Sequence, residues 1–145
     1  MIDKLQFYHG AAILCVVEDP RCNSISKNEF GYLINAERLV ALKYTTKAHS
    51  PWRFTVTSDD IARLDKAALQ FGGCALALIC GGDGICALFW ASARALLGGK
   101  PGWLSAKRVF AGCYALSGPE GTMRKKITLN RWPELIFEDG EEVRE

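Results

Sequence analysis

Ala75-Leu-Ala-Leu-Ile-Cys80 and Ile85-Cys-Ala-Leu-Phe-Trp90, separated by Gly81-Gly-Asp-Gly84, are the residues whose reading decides the fold. Two apolar runs of strand length around a glycine-rich turn form a hairpin signature. Neither run alternates with polar residues, which predicts a hairpin covered on both faces. The rest of the chain must then supply the layers above and below it. A three-residue loop, Gly82-Asp83-Gly84 with Gly84 left-handed, sets Cys80 opposite Cys86; a two-residue loop moves them out of register. The loop itself reads as a plain turn, because it lacks the Gly-Lys-Ser/Thr ending of a phosphate loop.

Upstream of the hairpin, Thr57 and Ser58 compete to cap a helix that carries Asp59 and Asp60 at its positive end. Ile61, Leu64, Ala68 and Phe71 form its apolar stripe, and Gly72-Gly73 stop it. Arg53 to Thr57 reads as a strand after the break at Ser50-Pro51. Gly31 to Asn35 and Arg38 to Thr45 read as two more, joined by the turn Asn35-Ala36-Glu37. Asp3 to Val17 is a helix with Leu5, Tyr8, Ala12, Ile13 and Val16 on one face and Gly10 as its weak point; Pro20 and Arg21 to Ser24 end it.

Downstream, a short helix over Ala91 to Leu97 ends at Gly98-Gly99. Strands over Arg108 to Leu116 and Thr122 to Leu129 flank the turn Ser117-Gly-Pro-Glu-Gly121. Trp132-Pro133 and Ile136-Phe137 pack the C-terminal segment back on the body. The order α-β-β-β-α-β-β-α-β-β predicts an α/β protein of the α+β kind, a single layer of mostly antiparallel mixed sheet flanked by helices. Residues 1–137 form one globular domain, and 138–145 an acidic tail.

Composition narrows the function classes. Hydrophobic residues make up 49% of the chain and charged ones 23%, which excludes a disordered segment. No apolar run approaches the roughly 20 residues that span a bilayer. The N-terminus lacks a basic-then-apolar leader, so a cytoplasmic protein without membrane partners is expected. The six cysteines sit mostly in apolar runs, with no Cys-x-x-Cys pair and no histidine at metal-ligand spacing. They read as reduced core thiols, with no metal or cofactor. Residues 138–145 hold five acids and one base, which leaves 17 bases against 11 acids in the body. A basic body points toward anionic partners.

The segment Lys43 to Thr57 concentrates that charge: Lys43, Lys47, His49 and Arg53 alternate with Tyr44 and Trp52. Cations interleaved with aromatic faces suit a phosphate backbone, with Lys43, Lys47 and Arg53 on phosphates and Trp52 stacking. The same residues also read as a strand–turn–strand in which Trp52 and Phe54 share a buried face and the charges are its wet side. A second cluster, Arg124-Lys125-Lys126, falls on a predicted strand next to Lys107-Arg108.

Over residues 3–80, a helix, a three-strand meander, a helix and a buried strand resemble the core of the restriction-endonuclease-like superfamily. That resemblance implies an acidic residue and a Glu-x-Lys or Asp-x-Lys triplet that bind divalent metal. Here the triplet is Ala41-Leu42-Lys43, and Arg53-Phe54-Thr55 contains no acid. The expected function is therefore a non-catalytic binding module of degenerate nuclease-like type, contacting nucleic acid or another polyanion through Lys43, Lys47, Trp52 and Arg53. An interaction subunit that forms a homo-oligomer through apolar strands such as Val109 to Leu116 is one alternative. A residual metal-dependent nuclease using Glu37 with Lys43 is another.

Overall fold

Asp3 starts the first helix by accepting the Gln6 amide at 2.8 Å while the Gln6 side chain accepts the Asp3 amide at 3.1 Å, a reciprocal cap. In the computed structural model, which describes residues 1–109 and 112–138, this helix α1 (Lys4–Val17) runs straight through Gly10. A three-strand antiparallel meander follows: β1 (Ile25–Lys27), β2 (Tyr32–Ile34) and β3 (Arg38–Thr45). Strand β1 has no counterpart in the sequence reading, because three residues carry too little periodicity to stand out. Strand β4 (Trp52–Val56) and helix α2 (Ser58–Gln70) come next, then the hairpin β5 (Gly73–Cys80) and β6 (Gly84–Phe89). Helix α3 (Trp90–Leu97) leads to β7 (Gly102–Val109), β8 (Cys113–Gly118), β9 (Gly121–Thr122) and β10 (Ile127–Thr128). A helical turn α4 (Arg131–Glu134) and a 3-10 turn (Leu135–Phe137) complete the described chain. Among the described residues no helix is long and apolar enough to cross a membrane.

The α+β class with mostly antiparallel strands holds, but the strands divide between two sheets rather than forming one layer. The first has the order β1-β2-β3-β5-β6, antiparallel except for the β3–β5 pair, which is parallel from Arg38↔Gly73 to Thr45↔Cys80. The second has the order β10-β8-β7-β4, with β9 alongside β8. A strand has only two hydrogen-bonding edges, and those of β3 are taken by β2 and β5. Strand β4 therefore pairs with β7 instead of extending the meander.

Two hydrophobic layers hold the sheets. One face of the first sheet (Leu39, Leu76, Leu78, Leu88) packs against α2, α3 and the inner face of the second (Phe54, Leu104, Tyr114, Leu116). The other face (Val40, Ala75, Ala77, Ile79, Ala87) is covered by Ala12 and Val16 of α1 and by Trp132, Leu135 and Ile136. The C-terminal segment thus packs back as expected, and the Trp132 indole donates to the Ala12 carbonyl at 3.1 Å. Arg38 fastens its end by donating to the carbonyls of Ile136 and Glu138. Of the tail expected over 138–145, only Glu138 lies within the described residues.

Several boundaries shift for identifiable reasons. The apolar run Arg108 to Leu116 is not one strand but the end of β7 and the start of β8, with Gly112 left-handed at φ 70° before β8. Phe110 and Ala111 lie outside the described residues. Thr122 to Leu129 breaks into β9 and β10, which puts Arg124-Lys125-Lys126 on an exposed loop rather than a strand. In α2, capped by Thr57, Ala67 is buried and Ala68 turns outward. The loop in the central hairpin is Gly81-Gly82-Asp83, so Cys80 pairs with Gly84 and Cys86 with Leu78. All six cysteines are free. Burial pushes the thiols of Cys74 and Cys80 up to about 12, and that of Cys86 well above its ordinary value.

The β2–β3 turn supplies a stability test. Asn35 and Ala36 both adopt left-handed backbone, at φ 56° and 59°. Asn35 tolerates this and ties down the chain before β1, accepting the Asn23 amide at 2.6 Å and donating to the Arg21 carbonyl at 2.8 Å. Ala36 makes no such compensation and carries the steric cost of its Cβ. Ala36→Gly is expected to stabilise the protein by about 1 kcal/mol, read as a higher midpoint in chemical denaturation.

Candidate functional site

Strands β3 and β4 belong to different sheets, and where they separate a cleft of about 430 Å³ opens. Its walls are Leu42 to Thr45 of β3, Arg53 to Thr55 of β4, and Leu5 and His9 of α1. None of these lining side chains is a carboxylate. Lys43 and Arg53, both expected as binding residues, meet here. His9, not among the expected binding residues, is delivered by α1 from the far end of the chain. Its Nδ1 lies 3.3 Å from the Tyr32 hydroxyl. Partial burial, and then the charge of Lys27, lower its pKa from the ordinary imidazole value. Tyr8 of α1 stacks on Tyr44 at 5.1 Å between ring centroids and fixes that wall.

Lys43 is anchored from below. Its Nζ lies 2.9 Å from Asp60 Oδ2, and Arg63 lies 2.9 Å from Oδ1. Asp60 also closes the cap of α2, accepting the Thr57 amide at 2.9 Å while its own amide donates to Thr57 Oγ1 at 3.1 Å. Burial acts to raise the Asp60 pKa, but the Thr57 amide and the cations Lys43 and Arg63 outweigh it and hold it at about 2. The sequence reading treated Asp60 only as an acid favoured at a helix N-terminus. It does that and also carries the ion pair that fixes Lys43.

The four expected binding residues therefore divide. Arg53 faces outward with its guanidinium 4.5 Å from the Trp103 ring centroid. Lys47 sits on the exposed turn after β3, its ammonium donating to the Pro51 carbonyl at 2.9 Å. Trp52 is not a stacking platform: it is 2% exposed, packs edge-on against Tyr114 and donates its indole N–H to the Lys47 carbonyl at 2.9 Å. Trp103 is the accessible ring beside Arg53. The register Thr55↔Trp103 and Arg53↔Ser105 puts Arg53, Trp103 and Lys107 on the outer face of the second sheet. Leu104 and Ala106 alternate inward between them, so a period-2 reading of residues 103 to 107 could have found this face.

Glu37 is not near this cleft. It lies in the turn before β3 and pairs with Arg38 at 3.7 Å. Lys43 is six residues further along an extended strand, roughly 20 Å away. Among the described residues no three His, Cys, Asp or Glu side chains converge where they could hold a metal ion. Of the run Val109 to Leu116 expected for oligomer contacts, Tyr114 and Leu116 are buried in the core. A second groove, of about 470 Å³ between α2 and α3, is walled mainly by apolar groups such as Phe71 and Trp90. Its polar groups satisfy one another, Asp65 accepting from Trp90 at 2.8 Å and pairing with Arg94 at 2.9 Å.

Two substitutions separate scaffold from surface. Trp52→Ala is expected to cost about 3–5 kcal/mol, comparable with the whole stability of a domain this size, whereas Arg53→Ala should cost under about 1 kcal/mol. Asp60 has a lower pKa folded than unfolded, so its contribution is complete above about pH 5 and is lost as pH falls through 4 toward 2, about 2 kcal/mol in all. Denaturant titrations between pH 7 and 2.5 should show that loss in the parent chain and a flatter profile in Asp60→Asn. Comparison with known protein families, with characterised proteins and with solved structures finds no match to this chain.

Proposed function

We propose that the chain is a non-catalytic binding module for a polyanion, with nucleic acid as the first candidate. The observation that carries this reading is the cleft between β3 and β4, in which Lys43, Arg53 and His9 converge with no carboxylate on the wall. A backbone phosphate seated there would meet the Arg53 guanidinium and the Lys43 ammonium, while Lys47 and Lys107 extend the positive surface on either side. The partly exposed ring of Trp103 is a platform for an unpaired base, and Arg53 is already stacked on it. Single-stranded segments suit this arrangement better than a duplex, since among the described residues no helix or ribbon projects beside the cleft to enter a groove.

The nuclease-like element order adds limited support. Residues 4–80 run as helix, meander β1-β2-β3, strand β4, helix and a strand parallel to β3, whereas the meander expected over Gly31 to Thr57 does not form because β4 pairs in the other sheet. The carboxylate beside Lys43 is Asp60, which is committed to two cations and a helix cap. The reading therefore stays with binding rather than cleavage.

Fluorescence anisotropy with short labelled single-stranded DNA and RNA tests it. Three phosphate contacts on a single strand predict about 20-fold weaker binding between 50 and 200 mM salt. Arg53→Ala should lower both the affinity and the salt slope by about one contact, and Trp103→Ala should cost about 1–3 kcal/mol with the slope unchanged. No binding at the lowest salt, or binding indifferent to Arg53, overturns the reading.

A further inference from the structure

We propose that the outward face of α1 is a self-complementary seam on which two copies of this chain pair antiparallel. Helix α1 has no Asp, Glu, Lys or Arg between Lys4 and Glu18, and apart from Gln6, Tyr8 and His9 its side chains are apolar, a character closer to covered helices than to solvated ones. One side covers the first sheet through Ala12 and Val16. The opposite side is bare: Phe7 is 64% exposed, Leu14 56% and Val17 56%.

The seam's order of residues chooses the occupant. Lys4, Phe7, Ala11, Leu14 and Glu18 are spaced 3, 4, 3 and 4 apart, which lines them up on one stripe. Turned end over end about Ala11, residues whose numbers sum to 22 come level: Lys4 meets Glu18 of the second copy, Ala11 meets Ala11, and Phe7 comes level with Cys15, one residue from Leu14 on the stripe. The small Gly10 and Ala11 at the centre let the two helices approach closely; a Cβ built on Gly10 touches nothing within 4 Å. Among the described residues neither Lys4 nor Glu18 forms an ion pair within the chain. Each also stands at the wrong end of its own helix dipole, a cation in the first turn and a carboxylate at the C-cap. Antiparallel pairing corrects both faults at once. A membrane surface is a poorer fit, because interfacial helices carry a row of Lys or Arg and α1 has only Lys4.

Sedimentation equilibrium from about 1 to 100 µM should show a concentration-dependent rise to twice the chain mass, in the range of a small interface. Leu14→Glu should abolish it with an unchanged circular dichroism spectrum, since the side chain is exposed. Lys4→Glu should weaken the dimer about tenfold, and Lys4→Glu combined with Glu18→Lys should restore it. Ala11→Cys, which lies on the two-fold axis, should form an intermolecular disulfide on mild oxidation well beyond the parent chain. The native Cys15 should not, because its two copies sit roughly 12 Å apart along the seam. A monomer throughout the range overturns the proposal, as does a dimer indifferent to Leu14→Glu or charge reversal without rescue. Binding of a monomeric chain to anionic vesicles overturns it in favour of a lipid surface.

Discussion

The burial of β5 on both faces is the constraint from which the rest of this structure follows. Gly73 to Cys80 offers no polar side chain to water on either side, so both faces need an apolar cover. One is supplied by α1 and the C-terminal turns, the other by α2, α3 and the second sheet. Burying the backbone of such a strand is tolerable only if its amides and carbonyls are paired, and β3 and β6 take its two edges. Because β3 is parallel to β5, the chain must cross over between them, and α2 is that crossover. Strand β4 lies on the same crossover and is free to seed the second sheet.

A polar clasp then holds the two sheets in a fixed relation. Gly81 donates its amide to the Thr45 carbonyl at 3.0 Å and is left-handed. A Cβ at this position would come within 2.3 Å of the Lys47 carbonyl, so the close approach requires glycine. Two residues on, Asp83 accepts from the Tyr114 hydroxyl at 2.7 Å and pairs with Arg108 at 3.2 Å. Burial, and then the hydrogen bond its hydroxyl donates to Asp83, push the Tyr114 phenol far above its ordinary range. The turn of the central hairpin is thereby tied to β7 and β8 of the other sheet. Trp52 fills the space between, and its indole satisfies the Lys47 carbonyl that the turn brings inward.

The cleft is a by-product of this arrangement. Strands adjacent in sequence but assigned to different sheets must diverge, and the gap between β3 and β4 takes the side chains of whichever residues face it. The cost of lining it with cations is limited because Asp60 holds Lys43 and the Trp103 ring holds Arg53. Neither cation is left half-buried without a partner. The bare face of α1 lies on the side of that helix away from the first sheet. Cleft and seam therefore draw on different sides of one helix, Leu5 and His9 on the former and Phe7 and Leu14 on the latter.

The sequence by itself determined the elements whose signals are local. The capped helix after Thr57, the doubly apolar hairpin around Gly81 to Gly84, and the turn at Asn35 and Ala36 all follow from spacing, capping and turn chemistry within about ten residues. So did the packing of Trp132 and Ile136 onto the body, since large apolar side chains seek burial wherever the chain ends. Only the tertiary structure decided which strand pairs with which, because edge availability is a property of the whole sheet. That one decision sent β4 away from β3 and set Trp103 beside Arg53 on the outer face of the second sheet. It also brought His9 and Asp60 to a lysine that neither adjoins in sequence. Hydrophobic periodicity specifies a face, but the partner of that face is set by long-range packing, where local signals carry no information.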